Sequence, residues 1–212
     1  MCLQPSDVDQ LSDEKILELG ENAPKLHPDP DSDVFKLTPG TVAKTSRDSD
    51  KDKDAADASG ANALDLLFAQ TTIPVPRVRR VVRGQGDFLI VMDYIPGPTL
   101  AHVWPTLSTW RKIRVAFTLR RYIRQLRRLE ASTTTPPGPL SAQGARIYVS
   151  PIFGSIFFHR GPFATYPEFS AFFNERHQIA MDNEKLPRDE PSRNDLFDDS
   201  EPLVLTHQDL NF

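Results

Sequence analysis

The chain has 212 residues, of which 39% are hydrophobic, enough to build the core of one large domain or of two small lobes. Its only cysteine, Cys2, excludes an internal disulfide framework and offers no spacing for a zinc site, so we expect a reducing compartment and a cytoplasmic location. The net charge of -4 argues against a general affinity for nucleic acid, and no apolar run approaches the roughly 20 residues of a membrane helix.

The first predicted element is a short helix in an N-terminal extension that covers residues 1–30. Ser12 stands before Asp13 and Glu14 as a helix-capping residue, and apolar residues follow at helical spacing as far as Gly20. This pattern predicts a capped amphipathic helix on the protein surface.

Two short strands around Pro39 and Gly40 form the next predicted element. The strands are residues 34–37 and 41–44, and the Pro-Gly turn between them is typical of a hairpin, which places Lys44 on the second strand. Residues 47–60 are rich in charge and lack large apolar groups, so we expect a mobile insert there.

A helix and a second hairpin complete the predicted N-terminal lobe, over residues 31–95. Residues 61–70 favour a helix that packs through Leu64, Leu67 and Phe68. Residues 78–82 and 88–94 predict two strands, and the second is apolar nearly throughout, as expected for a central strand. The Pro-Gly-Pro sequence at 96–98 predicts the boundary to a second lobe over residues 96–212.

The second lobe begins with the strongest helical pattern in the chain, over residues 108–130. Its apolar residues recur every three or four positions and predict a core helix. The opposite face is rich in arginine, which we interpret as a solvated surface; a nucleic-acid surface is the alternative, but no nucleic-acid motif accompanies it.

Three features follow that helix. Thr165 and Glu168 form a capping-box pattern that predicts a further helix. Residues 182–201 are acidic and rich in turn formers, and we expect them to be mobile. Leu203–Thr206 predict a short buried strand that leads into His207 and Asp209.

Together these parts resemble the aminoglycoside-phosphotransferase-like kinases, especially their fungal branch. The resemblance is carried by the order and spacing, across nearly the whole chain, of the segments 41–44 (TVAK), 72–78 (TIPVPRV), 90–97 (IVMDYIPG), 104–108 (WPTLS) and 205–210 (LTHQDL). It implies a two-lobed, protein-kinase-like α+β fold, with a small mixed or antiparallel β N-lobe and a mostly helical C-lobe.

The resemblance also implies a nucleotide site. Lys44 corresponds to the strand lysine that reaches the phosphates of ATP, and Met92, Asp93 and Ile95 correspond to the segment that lines the adenine pocket and binds the base through backbone groups. Asp209 corresponds to the carboxylate that accepts the proton of the substrate hydroxyl, and His207 to a structural residue that fixes the catalytic loop. Lys44 and Asp209 are then expected to face one cleft.

The sequence departs from the family pattern in two places. The helix acid that pairs with the strand lysine is expected near residues 60–62, where no acid stands, and Asp65 lies one turn later. The asparagine of the catalytic loop is expected two residues beyond Phe212, followed by the aspartate that binds magnesium. We therefore expect an incomplete C-lobe with no metal ligands.

Two functions stay open on this evidence. One is an ATP- and Mg²⁺-dependent phosphotransferase that acts on a hydroxyl group of an unknown small molecule, represented here by an incomplete and inactive copy. The other is a non-catalytic pseudokinase or interaction fragment.

Overall fold

The computed structural model describes residues 6–26, 33–47, 58–84, 87–141, 144–148 and 161–206. The architecture is α+β, as predicted, with a small antiparallel sheet and several helices. The chain divides into two compact units, one ending at Leu126 and the other beginning at Arg127. The predicted lobe boundary at Pro96 therefore lies within the first unit.

The sheet of the first unit contains four antiparallel strands in the order β1-β2-β4-β3. They are β1 (Val34–Lys36), β2 (Thr41–Arg47), β3 (Val78–Arg83) and β4 (Asp87–Asp93). Strands β2 and β4 pair along their full lengths, so the prediction that they belong to one sheet is confirmed. β4 is buried from Phe88 to Met92, as its continuous apolar run predicted.

Helix α1 (Asp13–Asn22) packs against one face of this sheet. It begins as predicted, because the hydroxyl of Ser12 accepts a hydrogen bond from the amide of Lys15 at 3.3 Å. Ile16 is fully buried together with Val8 and four residues of the sheet, namely Ala43, Val82, Leu89 and Val91. The prediction of an amphipathic surface helix is confirmed, because Ile16 is the only buried residue of α1 and most of its other side chains are exposed.

The segment after α1 extends the sheet at the outer edge of β1. The amide of Leu26 donates to the carbonyl of Val34 at 2.8 Å, and the amide of Lys36 donates to the carbonyl of Pro24 at 2.9 Å. The N-terminal segment thus contacts both a face and an edge of the sheet.

Helix α2 (Ser59–Gln70) packs on the opposite face of the sheet from α1. Its contact is made by Ala58 and Ala61, which are buried against Phe88 and Ile90. Phe68, expected in the packed face, is 47% exposed, because the small alanines bring the other side of the helix onto the sheet.

The predicted limits of the insert at residues 47–60 were wrong. Position 47 ends β2, and positions 59 and 60 begin α2. The rest of the insert, residues 48–57, lies outside the described residues.

Helix α3 (Leu100–Val103), a 3-10 turn (Trp104–Thr106) and helix α4 (Thr109–Leu126) complete the first unit. The amide and the hydroxyl of Thr72 donate to Oε1 of Gln125 at 2.8 and 3.0 Å, joining the end of α4 to the segment after α2. No residue of α4 is buried, and Trp110 is 74% exposed. The prediction that this helix forms a core was therefore wrong.

The second unit is built on helix α5 (Tyr166–Asn183). The hydroxyl of Thr165 accepts a hydrogen bond from the amide of Glu168 at 3.3 Å, which confirms the predicted N-cap. The core is aromatic, with Phe169 in edge-to-face contact with Phe163 at 5.4 Å and with Phe173 at 4.9 Å between ring centroids. Such geometry is favourable for aromatic pairs.

A β-bridge between Glu130 and Val204 explains why α4 is shorter than predicted. The amide of Ala131 donates to the carbonyl of Leu203 at 2.8 Å, and the amide of Leu205 donates to the carbonyl of Leu129 at 3.2 Å. These backbone groups are paired with another segment and cannot continue a helix. The predicted buried strand at residues 203–206 is this single bridge, and it is only partly buried.

Candidate functional site

The face of the sheet that carries α2 also carries two lysines. Side chains that are directly opposite in an antiparallel pair lie on the same side of a sheet. Lys36 of β1 is paired with Val42, and Val42 is paired with Met92; Val34 is paired with Lys44, and Lys44 with Ile90. We call this surface the lysine face, defined by Val34, Lys36, Val42, Lys44, Ile90 and Met92.

The lysine face is covered only in part. The alanines of α2 pack over β4, at Phe88 and Ile90, and a Cβ atom added to Gly60 would lie 3.4 Å from Cδ1 of Ile90. At the next strand, β2, the side chain of Lys44 is exposed. The opposite face is closed by α1, so a ligand that contacts Lys44 has to approach from the side of α2.

The charges around Lys44 favour an anion. Within the described residues Lys44 forms no ion pair, and Asp65 is exposed on α2 without contacting it. The first turn of α2 contains no acid and no side-chain N-cap, so no residue of that turn offsets the positive end of the helix dipole beside Ile90.

The end of β4 provides backbone groups next to Met92, which is buried. The amide of Asp93 donates to the carbonyl of Arg77 at 3.0 Å, and the amide of Tyr94 donates to the carbonyl of Gly40 at 2.8 Å. The following residue, Ile95, is 58% exposed, and its amide has no hydrogen-bond acceptor among the described residues. Of these three amides, the one at Ile95 can therefore donate to a ligand.

The carboxylate of Asp93 does not point to a ligand, because it is bound by Arg79. Nε of Arg79 lies 2.5 Å from Oδ1, and Nη2 lies 3.2 Å from Oδ2. Any contact of Asp93 with a nucleotide must use its backbone, as the resemblance implied.

Sequence analysis missed one contact of this site. Nζ of Lys36 lies 3.0 Å from the centroid of the Tyr94 ring, directly after the strand end at Asp93. The turn at residues 38–40 and the alternation of strand residues place Lys36 beside Val42, but its contact with Tyr94 also depends on the pairing of β2 with β4, which are distant in sequence. Lys36 also belongs to none of the segments that carry the resemblance.

The predicted catalytic residues His207 and Asp209 lie outside the described residues, so their expected position near Lys44 stays a prediction. Among the residues that are described, no group of three or more His, Cys, Asp or Glu side chains could hold a metal ion. Likewise, no helix in the described part of the chain is long and apolar enough to cross a membrane.

Comparison of the chain with protein-family models, with curated proteins and with solved structures gives no match. The interpretation of the site therefore depends on its own geometry and on the resemblance of its sequence segments.

Proposed function

We propose that the lysine face binds ATP and that the chain derives from the aminoglycoside-phosphotransferase-like kinases, which transfer phosphate to a hydroxyl group of a small molecule. The observation that carries the proposal is that Lys44 and Met92 share one face of the sheet in neighbouring rows, with the exposed residue Ile95, whose amide has no acceptor among the described residues, just beyond the end of β4.

The spacing of these groups suits a nucleotide. Val42 and Met92 form a buried apolar pair on the lysine face, and in this proposal a purine lies beside that pair while the Ile95 amide donates to the edge of the base. Lys44 is two residues from Val42 along β2, which corresponds to about 7 Å. A phosphate chain that leaves the base in that direction meets the ammonium group of Lys44.

In this proposal the chain is an incomplete copy that we expect to be inactive, and the transfer chemistry of the complete kinases is assigned to residues outside the described part. Asp209 accepts the proton of the acceptor hydroxyl, and His207 holds the loop that carries Asp209. ATP supplies the phosphoryl group, and Lys44 offsets part of the negative charge that the transferring oxygens carry. Mg²⁺ is implied by the resemblance alone, because the described residues provide no group to hold it.

The second candidate is a protein that binds nucleotide without transferring phosphate. It is favoured because Lys44 forms no ion pair with any described residue, whereas an acid on α2 would hold the lysine in one orientation toward the phosphates. The two candidates share the nucleotide site and differ only in the chemistry.

Titration calorimetry with ATP and with adenosine tests the shared site. We expect Lys44→Met to weaken ATP binding roughly tenfold or more and to leave adenosine binding unchanged, because a charge-assisted contact to phosphate is lost. Lys15→Met is the control, since Lys15 lies on α1 and pairs with Glu18. Equal ATP affinity of the wild-type protein and Lys44→Met contradicts the proposal, as does the absence of ATP binding.

Transfer of radiolabelled phosphate from ATP to a panel of polyhydroxylated compounds tests whether the chain is active. We expect ATP binding without transfer, as for an incomplete copy of a kinase or for a non-catalytic protein. Transfer that is lost in Asp209→Asn, with ATP binding retained, would show an active phosphotransferase and contradict the expected inactivity.

A further inference from the structure

The contact between Lys36 and Tyr94 assigns Lys36 a role in the same site, and this inference rests on the proposed function. We propose that Lys36 is a second phosphate-binding lysine, which lies on the ring of Tyr94 until a nucleotide with a phosphate chain binds. Nζ of Lys36 is 3.0 Å from the ring centroid, and Lys36 forms no ion pair with any described residue.

The sheet places Lys36 and Lys44 close enough to share one ligand. Lys36 is directly opposite Val42, so Lys44, two residues further along β2, is its diagonal neighbour on the same face. Diagonal neighbours are about 7–8 Å apart at the backbone, and each lysine carries a flexible four-carbon chain. Both ammonium groups can therefore reach a single diphosphate or triphosphate.

Two lysines at diagonal positions repel each other unless an anion lies between them. Neither has a carboxylate partner in the part of the chain that the structure describes, and the nearby start of α2 adds positive potential. An anion with several negative charges is the ligand that best offsets the repulsion between the two lysines. A nucleoside without phosphate carries no charge that could offset this repulsion.

The position of Lys36 on Tyr94 is one that phosphate can outcompete. A cation–π contact at a partly exposed position is weak, whereas a lysine forms strong charge-assisted hydrogen bonds with phosphate oxygens. Tyr94 follows Asp93 and is on the same side of the chain as Met92 by strand alternation. When Lys36 turns toward a phosphate chain, it leaves the end of the face where the base binds.

This exchange predicts opposite effects for the two partners of the contact. Removing the ammonium group of Lys36 weakens the binding of ADP and ATP, because one phosphate contact is lost. Removing the ring of Tyr94 strengthens it, because Lys36 no longer has to leave an aromatic ring before it contacts phosphate.

Calorimetric titration of the full chain with ATP, ADP and adenosine tests the inference, using Lys36→Met, Lys36→Arg, Tyr94→Leu and Lys44→Met. We expect Lys36→Met to bind ATP and ADP roughly tenfold more weakly with adenosine binding unchanged, and Lys36→Arg to retain the preference for phosphates. We expect Tyr94→Leu to bind ADP and ATP about two- to fivefold more tightly. Urea unfolding of each variant checks that the sheet is intact.

The possible results separate this inference from the proposed function. If Lys44→Met weakens ATP binding and Lys36→Met does not, the role of Lys36 is wrong and the nucleotide site stands. If Lys36→Met weakens adenosine as much as ATP, Lys36 supports the base region and the inference is overturned. If the wild-type chain binds none of the three ligands, the proposed function itself fails.

Discussion

Arg79 and Asp93 form a bidentate ion pair in which both carboxylate oxygens accept hydrogen bonds from one guanidinium group, at 2.5 and 3.2 Å. The side chain of Arg79 is 9% exposed, and its Nη1 also lies 3.7 Å from Oδ2 of Asp9. The hydrogen bond with Asp93 raises the pKa of Arg79. The pair thus connects the end of β4, where the base is proposed to bind, with the N-terminal segment.

We expect Asp93→Asn to lower the free energy of unfolding by roughly 1–2 kcal/mol, because the buried guanidinium loses its charged partner while solvent screens the carboxylate in part. Urea denaturation measures the effect. Glu18→Gln is the matched control, since it removes an ion pair of similar length between two exposed side chains, and we expect a loss below about 0.5 kcal/mol. Equal losses of unfolding free energy in the two variants would show that the burial of Arg79 does not increase the contribution of its ion pair to stability.

The packing of α1 on the sheet depends on Ile16. This side chain is fully buried between α1 and the strands, so Ile16→Ala should lower the free energy of unfolding by about 2–4 kcal/mol through lost burial and an unfilled cavity. Leu26→Ala is the control, because Leu26 is 42% exposed. A small loss in Ile16→Ala would mean that α1 is not part of the folded core.

Burial raises the pKa of Tyr148 in the aromatic core of the second unit. In the unfolded chain a tyrosine ionises near pH 10. The folded state therefore holds this proton more tightly, and its contribution to stability is complete below about pH 10 and is lost as the pH rises toward the folded-state pKa.

The corresponding experiment compares wild type with Tyr148→Phe in urea titrations at several pH values between 8 and 11, values chosen around the tyrosine pKa of about 10. We expect the wild-type free energy of unfolding to fall above about pH 10 and that of Tyr148→Phe to fall less steeply. Identical pH dependence would contradict the assigned burial of this phenol.

Arg193 fixes the turn that follows α5. Its guanidinium donates to Oδ1 of Asp182 and to the carbonyls of Leu186 and Pro187, each at 2.8 Å. Lysine cannot reproduce this fork of donors, so we expect Arg193→Lys to increase amide hydrogen exchange at residues 186–194 by roughly tenfold. Arg188→Lys, at an exposed position, serves as the control; comparable exchange in both variants would exclude the role of Arg193.

The sequence alone determined the local elements whose signal lies in adjacent residues. The capping residues Ser12 and Thr165 begin α1 and α5 as predicted, because a side-chain oxygen close in sequence satisfies a free helical amide. The apolar run from Phe88 to Met92 predicted a central strand for a similar reason, since only a strand covered on both sides tolerates such a composition.

Only the tertiary structure decided where these elements pack. The apolar pattern around Ile16 predicted an amphipathic helix but not the face of the sheet on which it packs. The face of α2 that packs was set by Ala58 and Ala61, which leave weaker signals than Phe68. The conformation of the turn between Asp182 and Arg193 likewise depends on Arg193, whose hydrogen bonds join positions 6 to 11 residues apart.

The residues of the candidate site likewise divide into those that the sequence indicated and those whose contacts only the tertiary structure decided. Lys44, Met92 and Ile95 were selected through the resemblance of their segments to the kinase family, and the local pattern itself predicted only the strands within or beside which they lie. The contact of Lys36 with Tyr94 and the binding of Asp93 by Arg79 depend on strand register and on a bulge between Val78 and Arg80. Register is fixed by pairing between strands that are distant in sequence, so no local pattern specifies which side chains meet across the sheet.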